Sequence, residues 1–392
     1  TMVRVKDIDE SLDFYCNKVG LVEVNRMESE KGRFTLVFLA APDDVEAAIA
    51  EGRVQPEGIV AILGKTEGNG CVNDFTRAFA VKELKYALTR HLPAERADRI
   101  SLVMSGGTEG GLAPHWLVLE RREAPSGSGP ALAIGSAHTA DLAPEGLGRR
   151  AQVELVADGV LAAMADAGID DPADVHFVQI KCPLLTADRI AAAEGRGATT
   201  ATRDTLKSMG LSRGASALGV ALALGEIAPE KITDDVIGRD AALWSGRAST
   251  SAGVELMNHE IVVLGMSDGW TGPLTVDHAV MADGIDVEPV RAALARSGFS
   301  GGGQIAAADR SRLVALLAKA EAGTTGRIRG YRHTMLDDSD ISSTRHARAF
   351  VAGALAGLVG HSEIFVSGGA EHQGPDGGGP VAIIARRPGV AA

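Results

Sequence analysis

Apolar positions along this chain fall into short continuous runs, separated by Ala-rich stretches whose apolar residues recur every three or four positions. Runs of the first kind predict strands buried on both faces, and the second spacing predicts amphipathic helices. Three runs end in a lysine: GIVAILGK at Lys65, VHFVQIK at Lys181 and RLVALLAK at Lys319. Others start at Phe34 (FTLVFLAAPDD), Ala131 (ALAIGSAHT) and Leu274 (LTVDHAVMADG). Helices are predicted over 43–51, 75–88, 145–168, 212–224, 287–296 and 345–358. RLVALLAKAEA carries helical propensity, yet its correspondence with the other lysine-ending runs predicts a strand.

The runs recur in a fixed order, which constrains the fold more than local propensity does. Downstream of each lysine lies a Ser-[Gly/Ala]-Gly-x-Glu segment, at Ser105, Ser251 and Ser367, after intervals of 40, 70 and 48 residues. Each is followed by another apolar run: WLVLE from Trp116, IVVLG from Ile261 and VAIIA from Val381. Between lysine and serine stands an arginine: Arg77, Arg213 and Arg345. The reading is an α/β protein of three homologous repeats about a pseudo-threefold axis. Boundaries are set by the Gly/Ser/Pro linker at 125–130 and by GWTGP at 269–273, giving an N-terminal segment 1–33 and repeats 34–124, 131–269 and 273–392.

Composition narrows the function. The chain has 392 residues with 39 Lys+Arg against 51 Asp+Glu, a formal charge of −12. Nucleic acid is therefore disfavoured as a partner, because counterion release needs clustered basic side chains. An apolar fraction of 45% supports a large core, and aromatics at 4% require that core to be aliphatic. No apolar run reaches the roughly 18 residues of a membrane span, and the acidic start at Asp7, Asp9 and Glu10 is unlike a signal peptide. With only Cys16, Cys71 and Cys182 and no CxxC pair, a reducing cytoplasm is expected.

If the repeats meet at an axis, Lys65, Lys181 and Lys319 converge with Arg77, Arg213 and Arg345. Like-charge crowding then pushes at least one lysine toward its neutral form, a competent base for a serine hydroxyl. The Ser-[Gly/Ala]-Gly loops bring backbone N–H groups close to a ligand. Three loops and three guanidinium forks suit a small planar cyclic imide with carbonyls on three sides. Taken singly, each residue type reads as a surface charge or a turn; the ordered recurrence is what argues for a site. A non-catalytic imide-binding module remains open at this point, as does the choice among the three serines. Gly64-Lys65-Thr66 lacks the upstream glycine of a phosphate loop, and the histidines include no His-x-His or HExxH zinc motif. EHQGPDGGGP from Glu371 could fold around a hard cation with a carboxylate such as Glu321.

The motifs GKTEGNGCVNDFTR (64–77), VMSGGTEG (103–110), HFVQIKCPLLT (176–186), SMGLSRGASALG (208–219), RHTMLDDSDISSTRHARA (332–349) and SGGAEHQGPDGGGP (367–380) closely resemble the cyanuric acid hydrolase/barbiturase family. The resemblance implies a Toblerone fold, a homotetramer, and hydrolytic opening of cyanuric acid to carboxybiuret, which loses carbon dioxide to give biuret. It makes Ser251 the nucleophile and Lys181 its base, with Lys65 and Lys319 as additional dyad members. Arg77, Arg213 and Arg345 would bind the ring oxygens, helped by Ser105-Gly106, Ser251-Ala252 and Ser367-Gly368. It implies no catalytic cofactor but a structural Mg²⁺ or Ca²⁺ on Glu321, Ala370, Gln373, Gly374, Pro375 and Gly378. KCPLLT, SRGASALG and SGGAEH favour cyanuric over barbituric acid. Residues 1–42 resemble instead the opening of a glyoxalase I chain, but hold no histidine with which to bind that module's metal.

Overall fold

The computed structural model describes residues 7–18, 22–29, 34–40, 44–123, 129–336 and 340–389, so most of the linker at 125–130 lies outside the described residues. The continuous apolar runs become strands. An N-terminal pair, β1 (Val22–Ser29) and β2 (Phe34–Ala40), precedes a first group of β3 (Ile59–Thr66), β4 (Ser101–Gly106) and β5 (His115–Glu120). A second group comprises β6 (Ala131–His138), β7 (Val175–Pro183), β8 (Ala248–Gly253) and β9 (Glu260–Ser267). The third comprises β10 (Leu274–Met281), β11 (Leu313–Ala320), a short hairpin of β12 (Arg327–Ile328) and β13 (Tyr331–Arg332), then β14 (Phe365–Gly368) and β15 (Gly379–Arg386).

The second and third sheets run β6-β9-β7-β8 and β10-β15-β11-β14, and the first runs β4-β3-β5. In each, the lysine strand lies parallel to the serine strand and antiparallel to the strand that follows it. Register then sets the chemistry: Lys65 stands opposite Ser105, Lys181 opposite Ser251, and Lys319 opposite Ser367. Residues paired across neighbouring strands project on the same face, so each lysine is delivered beside its serine. RLVALLAK is a strand, as its place in the repeat predicts; sheet pairing outweighs local propensity there.

The three sheets share an inner core that includes Leu63, Val103, Phe177, Leu264, Leu317 and Phe365. Helices cover the outer faces. Phe75–Thr89 packs on the first sheet, Arg150–Ala167 and Thr205–Ala223 on the second, and Glu288–Arg296 and Ser343–Val359 on the third. Side chains start two of them, Asp74 accepting from Thr76 N and Asp204 from Lys207 N. Gly168 and Gly360 end two others in the left-handed conformation. Helix Ala187–Gly195, capped by Thr186, has no counterpart in the sequence-based expectation.

The opening strand of the first repeat departs from expectation. Phe34–Ala40 forms, but its partner is Val22–Ser29, with Ser29 opposite Phe34. In the other two sheets the corresponding strand, β6 or β10, pairs with the last strand of its own group. Closing a hairpin over a few residues costs less chain entropy than reaching His115–Glu120 some 75 residues on, which favours the local pairing. The residues of β5 are accordingly half-buried, whereas those of β9 and β15 are nearly all buried.

Candidate active site

The three lysines are among the most deeply buried side chains, each at most 1% exposed. Lys65 Nζ lies 3.3 Å from Ser105 Oγ and 2.7 Å from the carbonyl of Val366, the residue before Ser367. Lys319 Nζ lies 3.2 Å from Ser367 Oγ and 2.9 Å from the carbonyl of Thr250, the residue before Ser251. Lys181 Nζ donates to Met104 O, before Ser105, at 3.0 Å. Each lysine thus binds the serine strand of another group, and the three interlock in a cycle. Lys181 differs in its second contact, an ion pair with Glu255 Oε1 at 2.7 Å instead of a bond to Ser251. Ser251 Oγ lies 3.2 Å from Ser367 Oγ.

The arginines complete the ring in the opposite sense, each reaching the group that the lysine beside it does not. Arg77 donates to Ala252 O at 3.1 Å, Arg213 pairs with Glu371 at 2.6 and 2.8 Å, and Arg348 pairs with Glu109. A central cavity of about 20 Å³ is lined by Ser105, Gly106, Arg77, Ser251, Ala252, Arg213, Ser367, Gly368 and Arg348, with Gly70 and Met209. This corrects the sequence reading of Arg345, which lines an adjoining cleft of about 910 Å³ and reaches Cys71 Sγ at 3.5 Å. Both arginines lie on helix Ser343–Val359. Three residues apart, they lie about one turn from each other on the same side of it, so spacing in the sequence could not select between them; both line the outer cleft and only Arg348 reaches the central cavity. Loop glycines make room for the guanidinium groups. Gly107 has φ +93°, and a Cβ there would stand 2.3 Å from Arg348 Nη2.

The loop glutamates, Glu109, Glu255 and Glu371, recur at a fixed position in the sequence but receive no role there. In the structure two of them hold arginines, and the third holds a lysine. Burial lowers the pKa of all three lysines. Lys65 falls well below its ordinary value, further depressed by Arg348. Lys319 falls to about 7 through burial and Arg213. Lys181 is also lowered by burial, with Glu255 pulling the other way. Against the burial that would raise it, Lys181 holds the Glu255 carboxyl below its usual range.

Behind the third loop, Glu321, Ala370, Gly374 and Pro375 line a separate cavity of about 380 Å³ with Glu371 and Asp376. Gln373 and Gly378 do not line it. Gln373 Oε1 accepts from Thr250 N at 2.7 Å, and a Cβ on Gly378 would meet Met281 O at 2.0 Å. The Glu321 carboxylate accepts N–H groups from Ala322 and Ala370, and its pKa is raised by burial and by Glu371. A buried carboxylate destabilised by a neighbour of like charge, on the wall of a cavity shared with the loop of Ala370, Gly374 and Pro375, suits a hard divalent cation.

Buried lysines, serine hydroxyls and Gly-rich loops around a core of parallel and antiparallel strands fit a hydrolase of cyclic amides. A sequence profile described as "Amidohydrolase ring-opening protein" matches residues 34–386, and the chain belongs to that family. It is 66% identical to the cyanuric acid amidohydrolase of Azorhizobium caulinodans over 356 residues, which is 90% of this chain and 97% of that protein. It is 50% identical to the cyanuric acid amidohydrolase of Enterobacter cloacae, covering 89% and 98% of the two chains. The crystal structure of the A. caulinodans cyanuric acid hydrolase superposes with a TM-score of 0.82 at 65% identity, covering 88% of this chain and 95% of that one. Among the described residues no helix is long and apolar enough to cross a membrane.

Proposed function

We propose that this chain opens the ring of cyanuric acid by hydrolysis, giving carboxybiuret and then biuret and carbon dioxide. The observation that carries this reading is the cycle of three lysines and three serines around one cavity whose rim holds three arginines. A ring with three carbonyls can meet a donor from each direction. The central space alone admits one or two waters, so the ring enters as the loops and guanidinium groups give way toward the larger cleft. Purified protein incubated with cyanuric acid should yield biuret by mass. Turnover of barbituric acid alone would make it a barbiturase, and tight binding without product would make it an imide-binding module.

Ser251 is the proposed nucleophile and Lys181 the base. Sequence symmetry offers three equivalent dyads, and what supports the second is its asymmetry: Lys181 alone of the three lysines has a carboxylate in direct contact. A base that becomes charged as it accepts a proton is stabilised by a fixed anion, the same logic by which a carboxylate orients a catalytic imidazole. Ser251 Oγ bonds to a ring carbonyl carbon as its proton passes to Lys181 Nζ. The oxyanion is held by donors of the loops, the ring C–N bond breaks, and the lysine returns the proton to the departing nitrogen. Water then clears the acyl-serine. A second reading is favoured by the contacts from Ser251 to Ser367 to Lys319, which would carry the proton to the lysine whose pKa is about 7.

Glu255→Gln separates these routes. Removing the carboxylate removes what raises the Lys181 pKa, so the ascending limb of the kcat/KM profile should move to lower pH by about 1–3 units. The plateau should fall by about 10²-fold as the ammonium loses its stabilising anion. An unmoved profile would favour Lys319 as the base. The same proposal assigns Mg²⁺ or Ca²⁺ to Glu321 and its loop in a structural role, and adopts the homotetramer that the sequence resemblance implies.

A further inference from the structure

The seam between the second and third sheets holds a cluster that the ring-opening reading does not use. His176 is the second residue of β7, and Asp277 and His278 are adjacent on β10. Their ligand atoms all lie within 4.8 Å of one another, the one such group of three among the described residues. His176 Nδ1 and His278 Nδ1 face each other at 2.9 Å, with ring centroids 5.0 Å apart and planes at 75°. Asp277 Oδ1 lies 3.8 Å from His176 Nδ1. Two ring nitrogens at that distance cannot both carry a proton, so at least one presents a lone pair. His278 also lines an open cleft of about 740 Å³ with Glu226, Trp244 and Arg247, which gives access from solvent.

We infer that His176, His278 and Asp277 form a site for a divalent transition-metal ion such as Zn²⁺, joining the second sheet to the third. Two imidazoles and a carboxylate are a nitrogen/oxygen donor set that selects Zn²⁺, Co²⁺ or Ni²⁺ over Mg²⁺ or Ca²⁺. Metal–nitrogen bonds of about 2.0–2.1 Å in tetrahedral geometry place two ligands roughly 3.3 Å apart. The present separation need widen by only a few tenths of an ångström. Arg296 is the competing group. It donates to both oxygens of Asp277, at 2.7 and 3.1 Å, and must yield one of them to the ion. His176 precedes Lys181 by five residues along β7, about 17 Å of extended strand. The ion would therefore brace the sheets and not take part at the serines. Ligands on strands a hundred residues apart leave no local motif, which is why the sequence shows none.

The test is Zn²⁺ binding by calorimetry to chelator-stripped full-length protein, with excess Mg²⁺ present to fill the site around Glu321. About one equivalent of Zn²⁺ should bind per chain. His278→Gln and His176→Gln should each weaken binding at least as much as the 10–100-fold typical of outer-shell changes, while Cys71→Ser should leave it intact. Arg296→Gln should tighten binding by releasing Asp277. Co²⁺ should give a visible absorption band in the wild-type protein that both histidine variants lose. The metal-free unfolding temperature of each variant shows whether it remains folded, and Asp277→Asn serves if one does not. No Zn²⁺ bound to the wild-type protein, or wild-type affinity in both histidine variants, would overturn the inference.

Discussion

Ser251→Ala is expected to lower kcat for cyanuric acid by at least about 10⁴-fold, because in the proposed mechanism its oxygen forms the covalent bond to the ring carbonyl. Lys181→Ala should cost about 10²–10⁴-fold, the span of a positioned general base. Ser251→Ala removes an oxygen from a residue only 7% exposed and makes no cavity larger than an atom, so the variant should fold and still bind the ring. Steady-state biuret release paired with calorimetric titration of cyanuric acid reads both quantities. Ser105→Ala and Ser367→Ala should act mainly on KM, since in the proposed mechanism those hydroxyls help to hold the ring. If Ser367→Ala or Lys319→Ala abolished turnover while Ser251→Ala kept it, the roles would have to be reassigned to the third unit.

The second large effect is expected at Arg348. Its side chain is 5% exposed and pairs with Glu109, itself 15% exposed, so Arg348→Met strands a carboxylate beneath the surface. Breaking a buried pair from one side costs about 3–5 kcal/mol of stability. That loss would be confused with loss of function, and the double variant Arg348→Met/Glu109→Gln separates them. The unfolding temperature should recover substantially in the double variant, because no charge is left unpaired. The value of kcat/KM should remain depressed by about 10²-fold or more, because the proposed charge-assisted contact from Arg348 to a ring oxygen is still missing. Arg345→Met, on the wall of the outer cleft, should raise KM by a smaller factor. A larger effect at Arg345 than in the double variant would restore the original sequence assignment.

Much of the site could be read without coordinates because its parts repeat. Lys65, Lys181 and Lys319 each close an apolar run, and Ser105, Ser251 and Ser367 each sit in a Gly-rich segment; register places them opposite one another. The strand at Leu313–Ala320 was legible only through that repetition, since its own residues favour a helix. The third arginine was not legible. Arg345 and Arg348 occupy one helix, and which of them faces the cavity depends on how Ser343–Val359 lies against the neighbouring loop of Glu109. The partner of Phe34–Ala40 was also beyond the sequence pattern, which marks a strand but not its neighbour.

By itself, then, the sequence determined the α/β class, the recurring lysine and serine, and the family, because periodicity and repeated residues are properties of the chain order. The tertiary structure decided what depends on distance across the fold. It turned Glu255 onto Lys181 while its counterparts took arginines, and so made three equivalent dyads unequal. It also brought His176 against His278 at the seam of two sheets. The physical reason is common to both: charge pairing and ligation act over a few ångströms in space, and residues a hundred positions apart acquire such distances only when sheets pack.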